Sequence, residues 1–159
     1  MSVPARRARP VEILLVEDSA TDVELTEEAF ATADVETSLH VVSDGEAALA
    51  FLRGEPPHEG ATRPELILLD LNMPRKDGRE VLRELKADER LMSIPVLVLT
   101  ISGADGDVAE AYAGGANAYI RKPVHFDDFI ATVRAIEAFW LTVATLPARP
   151  SGALARPER

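Results

Sequence analysis

Three short runs, Val11–Val16, Leu66–Leu69 and Pro95–Leu99, are apolar almost without interruption. A strand with one wet face alternates polar and apolar residues, whereas a strand covered on both faces does not. These runs therefore suit the inner strands of a parallel sheet, and a parallel sheet needs helical crossovers on both faces. The chain supplies them. Ser19 with Asp22 reads as a helix start after the first run, with Val23 and Phe30 on one face. Thr37–Val42 is a second β-rich run, and Ser43-Asp44-Gly45-Glu46 matches a capping box opening a helix to about Leu52.

A loop rich in Pro and Gly over residues 54–64 precedes the third run. Asp77 and Glu80 then open a helix predicted to reach about Arg90. After the fourth run, residues 104–113 form an Ala-rich helix with little apolar face, predicted to dock loosely, and Gly114-Gly115 ends it. Ala118 to Ile120 reads as a short fifth strand, and residues 126–146 as the last and most hydrophobic helix. Five βα units in succession predict an α/β fold with a doubly wound, five-stranded parallel sheet and right-handed crossovers.

The residues that end the strands carry the chemistry. Strand one ends in Glu17-Asp18, strand three in Asp70, strand four in Thr100, and strand five runs into Lys122. In open α/β sheets this carboxyl edge is where ligands bind. Three carboxylates there repel one another unless a cation joins them, and an all-oxygen set suits Mg²⁺ or Mn²⁺ rather than zinc. Magnesium is held by one or two carboxylates plus waters and phosphate oxygens, which leaves a carboxylate available as nucleophile. Lys122 and Thr100 then offer a positive charge and a hydroxyl to phosphoryl oxygens.

Size and charge narrow the partners. The 159 residues suit one domain, predicted over 10–146, with a flexible arm at 1–9 and an unstructured tail at 147–159. A formal charge of −10 argues against general binding of nucleic acid, which depends on Lys and Arg displacing counterions. The absence of cysteine excludes disulfides and thiolate metal sites. No run reaches the roughly 18 apolar residues of a spanning helix, and the basic start lacks an apolar signal region, so no membrane association and a cytoplasmic location are expected.

The run Asp70-x-x-Met73-Pro74-x-x-Asp77-Gly78, with Glu17-Asp18, Thr100 and Lys122-Pro123, resembles the receiver domain of two-component response regulators over residues 11–146. That resemblance implies the flavodoxin-like strand order 2-1-3-4-5, which the spacing alone does not supply. It implies that Asp70 accepts a phosphoryl group from a histidine kinase, and that Asp18, Asp70 and the Asn72 carbonyl bind Mg²⁺, with Glu17 contributing through water. Thr100 and Tyr119 resemble the family's switch pair, and Pro123 its cis proline. Ile101 stands where the family usually has a small residue; with Ser102 it is expected to border access to Asp70, and Ile101 to prolong the phosphorylated state. The protein would be a phosphoacceptor that assists its own phosphoryl transfer and loss, not an enzyme with a small-molecule substrate beyond the phosphodonor.

On the last helix, Phe129, Val133, Ile136, Trp140 and Val143 share one face at helical spacing, while Ile130, Phe139, Leu141 and Leu146 fall outside it. So wide an apolar arc predicts a homodimer built around this helix, at Phe139 and Trp140. The Phe139-Trp140-Leu141-Thr142 ending, Leu146-Pro147 and the 54–64 loop are similar to the small regulators paired with bacterial phytochromes, which implies a phytochrome kinase as donor. Rival readings are weaker. A haloacid dehalogenase phosphatase needs a second acid where Asn72 stands, and a flavin site needs a hydroxyl- and Gly-rich loop where Glu17-Asp18 stands. A DNA-binding regulator needs an output domain for which the tail after Leu146 has no room. A phosphorelay intermediate passing the group to a histidine phosphotransfer protein is the remaining alternative.

Overall fold

The computed structural model describes residues 9–147, so all but the last residue of the predicted arm and all but the first of the predicted tail lie outside it. Five strands, β1 (Val11–Val16), β2 (Thr37–Val42), β3 (Leu66–Leu69), β4 (Val96–Thr100) and β5 (Ala118–Arg121), pair in parallel in the order β2-β1-β3-β4-β5. Five helices follow them: α1 (Ala20–Ala31), α2 (Gly45–Arg53), α3 (Gly78–Ala87), α4 (Asp105–Ala113) and α5 (Phe126–Ile136). This is the flavodoxin-like arrangement.

The apolar runs behave as unalternated strands must. Ile13, Leu15, Leu66, Leu68, Leu97 and Leu99 pack with Phe30 of α1 and Phe129, Val133 and Ile136 of α5. Leu14, Val16, Ile67, Leu69, Val96 and Val98 point the other way, onto Leu49 and Leu52 of α2 and Val81, Leu82 and Leu85 of α3. Both faces of the sheet are dry, so its polar groups gather at the strand ends.

Local rules placed most helix starts within a residue or two. Ser19 caps α1, its hydroxyl accepting from the Asp22 N–H at 3.2 Å. The second start differs: Asp44 rather than Ser43 is the cap, its carboxylate accepting from the Ala47 N–H at 2.8 Å, because a carboxylate fills the same role and also draws in Arg75. Helix α3 stops at Ala87 rather than near Arg90; Asp88 turns the chain, accepting from the Arg90 N–H through its side chain at 2.9 Å. Helix α4 buries only Ala111 among its residues and has no side-chain cap, as its weak apolar face foretold.

The last helix departs most from its predicted form. At Glu137 the winding widens to a π-helix through Val143, closed by an Ala144 N–H to Phe139 carbonyl bond at 2.7 Å. Side-chain positions beyond Ile136 therefore rotate off the 3.6-residue pattern. Val143, assigned to the core face, is 70% exposed, whereas Trp140, Leu141 and Leu146 pack partly against the core. Much of the wide apolar arc is thus absorbed within the protein, and the apolar side chains left outside are Phe139 and Val143 rather than Phe139 and Trp140. The same winding buries Glu137, whose Oε1 has no partner among the described residues. Burial pushes its carboxyl up to about 7, with Arg134 opposing and Asp34 adding to the shift.

Candidate functional site

Each site residue sits where a strand releases the chain. Strand β1 ends at Val16 and hands Glu17 inward and Asp18 outward, the first buried and the second exposed. Strand β3 ends at Leu69, so Asp70 follows it into the crevice, with its N–H bonded to the Val16 carbonyl at 3.0 Å across the neighbouring strand. Thr100 closes β4 fully buried, and Lys122 follows β5 with its N–H on the Thr100 carbonyl at 2.7 Å. Parallel register puts all of these ends on one edge.

Two pieces of backbone press Asp70 into place. A Cβ on Gly78 would lie 2.3 Å from the Asp70 carbonyl oxygen, so the start of α3 abuts the strand end as only glycine permits. A Cβ on Gly45 would lie 2.1 Å from the Lys76 carbonyl oxygen, so the 70–78 loop is also wedged against the start of α2. Between them Arg75 adopts a left-handed φ of 58°, held by its 3.1 Å ion pair to Asp44. A non-glycine residue in that region persists only where its surroundings fix it.

The Asp70 carboxylate is fully engaged. Its Oδ1 accepts the Thr100 hydroxyl at 2.9 Å and the Asn72 N–H at 3.2 Å, and its Oδ2 accepts from Lys122 Nζ at 3.1 Å. Lys122, 4% exposed at its side chain, also pairs with Glu17 at 2.6 Å and Asp22 at 2.8 Å. Burial works to lower the Lys122 pKa, but its hydrogen bonds to Asp22 and Glu17 outweigh it and the ammonium stays charged. Burial raises the Glu17 carboxyl to about 7 against the pull of Lys122, with neighbouring Asp70 adding to the rise. One cation is thus shared by three acids.

Glu17, Asp18 and Asp70 each bring a carboxylate oxygen within 4.8 Å of the others. The donors are all oxygens, the set that suits a hard divalent cation. A second positive charge beside Lys122 would relieve the excess of acid, so the residues present fit such an ion.

Glu17, Asp18, Asp70, Asn72, Thr100, Ile101, Ser102 and Lys122 follow or close their strands at this edge, while Tyr119 lies within β5 opposite Val98. Asn72 also turns its amide toward the Thr100 hydroxyl at 3.4 Å, beyond the backbone role assigned to it. Tyr119 packs against the core and donates its hydroxyl to the Ser102 carbonyl at 2.8 Å. Ile101 is 70% exposed at the crevice rim. Pro123 is a correction: its peptide bond is trans, the form an X-Pro bond prefers by roughly 0.5–1 kcal/mol, and the cis bond among the described residues is Pro56–Pro57 in the long loop. Asp22 was missed because its spacing from Ser19 already explained it as part of a helix start; its position one turn into α1, facing the strand ends, was the available signal.

Similarity to known proteins agrees with this geometry. Residues 13–134 match the family described as the response regulator receiver domain. The chain is 47% identical to the response regulator Rcp1 of Synechocystis over 139 residues, covering 87% of this chain and 95% of that protein. The phosphorylated cyanobacterial phytochrome response regulator RcpA superposes with a TM-score of 0.86 at 45% identity, over 88% of this chain and all of that one. The Mn²⁺-bound form of Rcp1 gives a TM-score of 0.85 at 47% identity, over 87% of this chain and all of its own. No described helix is long and apolar enough to cross a membrane. With a sheet of this order, an acidic crevice of this composition and these relatives, the chain belongs to the response regulator receiver family.

Proposed function

We propose that this protein accepts a phosphoryl group on Asp70 from a phosphohistidine of a histidine kinase, and that a phytochrome kinase is the donor. The observation that carries the reading is the engaged Asp70 carboxylate, with Thr100, Asn72 and Lys122 aimed at its two oxygens at 2.9–3.2 Å. An Asp70 oxygen attacks phosphorus, the P–N bond breaks, and its electron pair returns to the imidazole. Lys122 and the Thr100 hydroxyl, already at the carboxylate, then follow the negative charge onto the phosphoryl oxygens. Glu17, Asp18, Asp70 and the Asn72 carbonyl would hold Mg²⁺, or Mn²⁺ as in the Rcp1 structure, Glu17 through water. When bound, the ion supplies charge neutralisation to the transferring group.

Thr100 and Tyr119 serve as the switch. The threonine hydroxyl already faces Asp70 and the tyrosine is already turned toward the loop after β4. Phosphorylation adds close to two negative charges and strong acceptors at Asp70, and so favours this arrangement over others. Ile101 and Val124 on the loops leaving β4 and β5, and Phe126 at the start of α5, are exposed, an apolar rim that suits docking of kinase helices. Phe139 and Val143 are the exposed apolar residues on which we place homodimerisation. The link to a phytochrome rests on the similarity to Rcp1 and RcpA. Incubating the protein with a phytochrome kinase and labelled ATP tests the reading. Label is expected on the wild type and absent from Asp70→Asn; label on the variant would refute Asp70 as acceptor.

A further inference from the structure

Helix α4 has almost no apolar anchor, yet it is tied down by one guanidinium. Arg79, in the first turn of α3, donates from Nη1 to Asp77 at 3.1 Å, from Nη2 to Asp107 at 3.0 Å and from Nε to Glu110 at 3.2 Å. Asp107 and Glu110 lie on α4, while Asp77 caps α3. The other oxygen of Asp107 accepts the Ser102 hydroxyl at 2.5 Å, and the Ser102 carbonyl accepts the Tyr119 hydroxyl at 2.8 Å. The Ser102 and Arg79 bonds hold the Asp107 carboxyl below its usual range. At the other end, Gly78 precedes Arg79 and donates its N–H to the Leu71 carbonyl at 2.9 Å, one residue from Asp70.

We infer that Arg79 is a positioning residue that clasps α4 to α3, and through Asp107 and Ser102 sets the inward placement of Tyr119. A planar fork can hold three carboxylates at fixed angles, which a point charge on a flexible stem cannot. With Ala111 its one buried residue, α4 has little packing to hold it if the fork is removed. The placement of α4 is therefore set by charges that salt can screen. The switching role rests on the reading of the previous section, but the clasp itself does not require phosphorylation.

The chain has two tyrosines, and both report on this region: Tyr119 bonds Ser102, and the Tyr112 hydroxyl accepts the Tyr119 N–H at 3.1 Å. Labelling with 3-fluorotyrosine gives two fluorine resonances, measured without phosphodonor. In the wild type, raising salt to about 0.5 M is expected to move the Tyr119 resonance, since the Debye length falls to a few Å. Arg79→Met is expected to shift that resonance at low salt, abolish its salt response, and lower hydrogen-exchange protection of residues 102–113 roughly tenfold. Arg79→Lys is expected to recover only part of the shift. Should Arg79→Met fold poorly, Asp107→Asn keeps the acceptor for Ser102 and removes the ion pair, and is expected to give the same loss of salt response. A Tyr119 resonance and salt response unchanged in these variants would overturn the clasp. Failure of Asp70 to take label in the wild type would overturn the switch reading while leaving this result standing.

Discussion

Replacing Lys122 with Met removes the one cation that three acids share, and the cost can be worked from the geometry. Its Nζ lies 2.6, 2.8 and 3.1 Å from Glu17, Asp22 and Asp70. Glu17 and Asp70 are buried, so they would be left as uncompensated charge, and breaking such a pair by deleting one partner costs about 3–5 kcal/mol. For a chain of this length each kcal/mol moves Tm by roughly 2–4 °C, so Lys122→Met is expected to melt roughly 6–20 °C below the wild type at pH 8 without metal.

Two conditions should recover that loss. A carboxyl whose folded pKa is raised contributes stability at low pH and loses it as pH rises through the folded value. Glu17 at about 7 is such a group, and without Lys122 it is driven higher still. The deficit of the variant should therefore narrow toward pH 5. Saturating Mg²⁺ should narrow it too, because without the competing Lys122 charge the acids bind the ion more tightly, and each tenfold gain in affinity adds about 1.4 kcal/mol more to the variant than to the wild type. Urea or thermal unfolding with and without Mg²⁺, at pH 5 and pH 8, reads all four conditions. A variant within about 1 kcal/mol of the wild type at pH 8 without metal, or one indifferent to Mg²⁺, would refute the shared-cation argument.

Other perturbations are simpler to read. Glu137 ionises only near pH 7 against an ordinary value of 4.5, so the wild type loses stability as pH rises through that window; Glu137→Gln is expected to raise Tm at pH 8.5, by about 1–3 kcal/mol equivalent, and to change little at pH 5. Gly78→Ala puts a methyl 2.3 Å from the Asp70 carbonyl and is expected to slow phosphorylation by acetyl phosphate at least tenfold, in a single-turnover assay, by displacing the Asp70 loop. Ile101→Ala opens the rim beside Asp70, and the half-life of the phosphorylated protein is expected to shorten; equal half-lives would show that Ile101 does not guard the group.

What the sequence revealed divides along physical lines. Leu66–Leu69 and Asp70 were readable because an unalternated strand and the acid at its end are both local signals. Thr100 and Lys122 followed from the same rule at β4 and β5. Asp22 hid behind a sufficient local explanation, since a helix-start acid needs no second role. Arg79 carries no local signal of its own in the sequence, and only the approach of α4 makes it a hub of three carboxylates. The change of winding at Glu137 was invisible because amphipathic faces are read at a fixed period. Residues after the change can then fall on the wrong side, as Val143 and Leu141 show, although Phe139 and Trp140 keep theirs.

The claim on which the rest depends is that Asp70 is the atom's-length target of phosphoryl transfer. Treating the purified protein with acetyl phosphate and Mg²⁺, then reducing with borohydride, converts an aspartyl phosphate to homoserine, which peptide mass spectrometry locates by residue. The account predicts homoserine at position 70 alone, none when Mg²⁺ is chelated, and none in Asp70→Asn. Conversion at Asp18 or Glu17 in place of Asp70, or a phosphoryl group retained by Asp70→Asn, would contradict it.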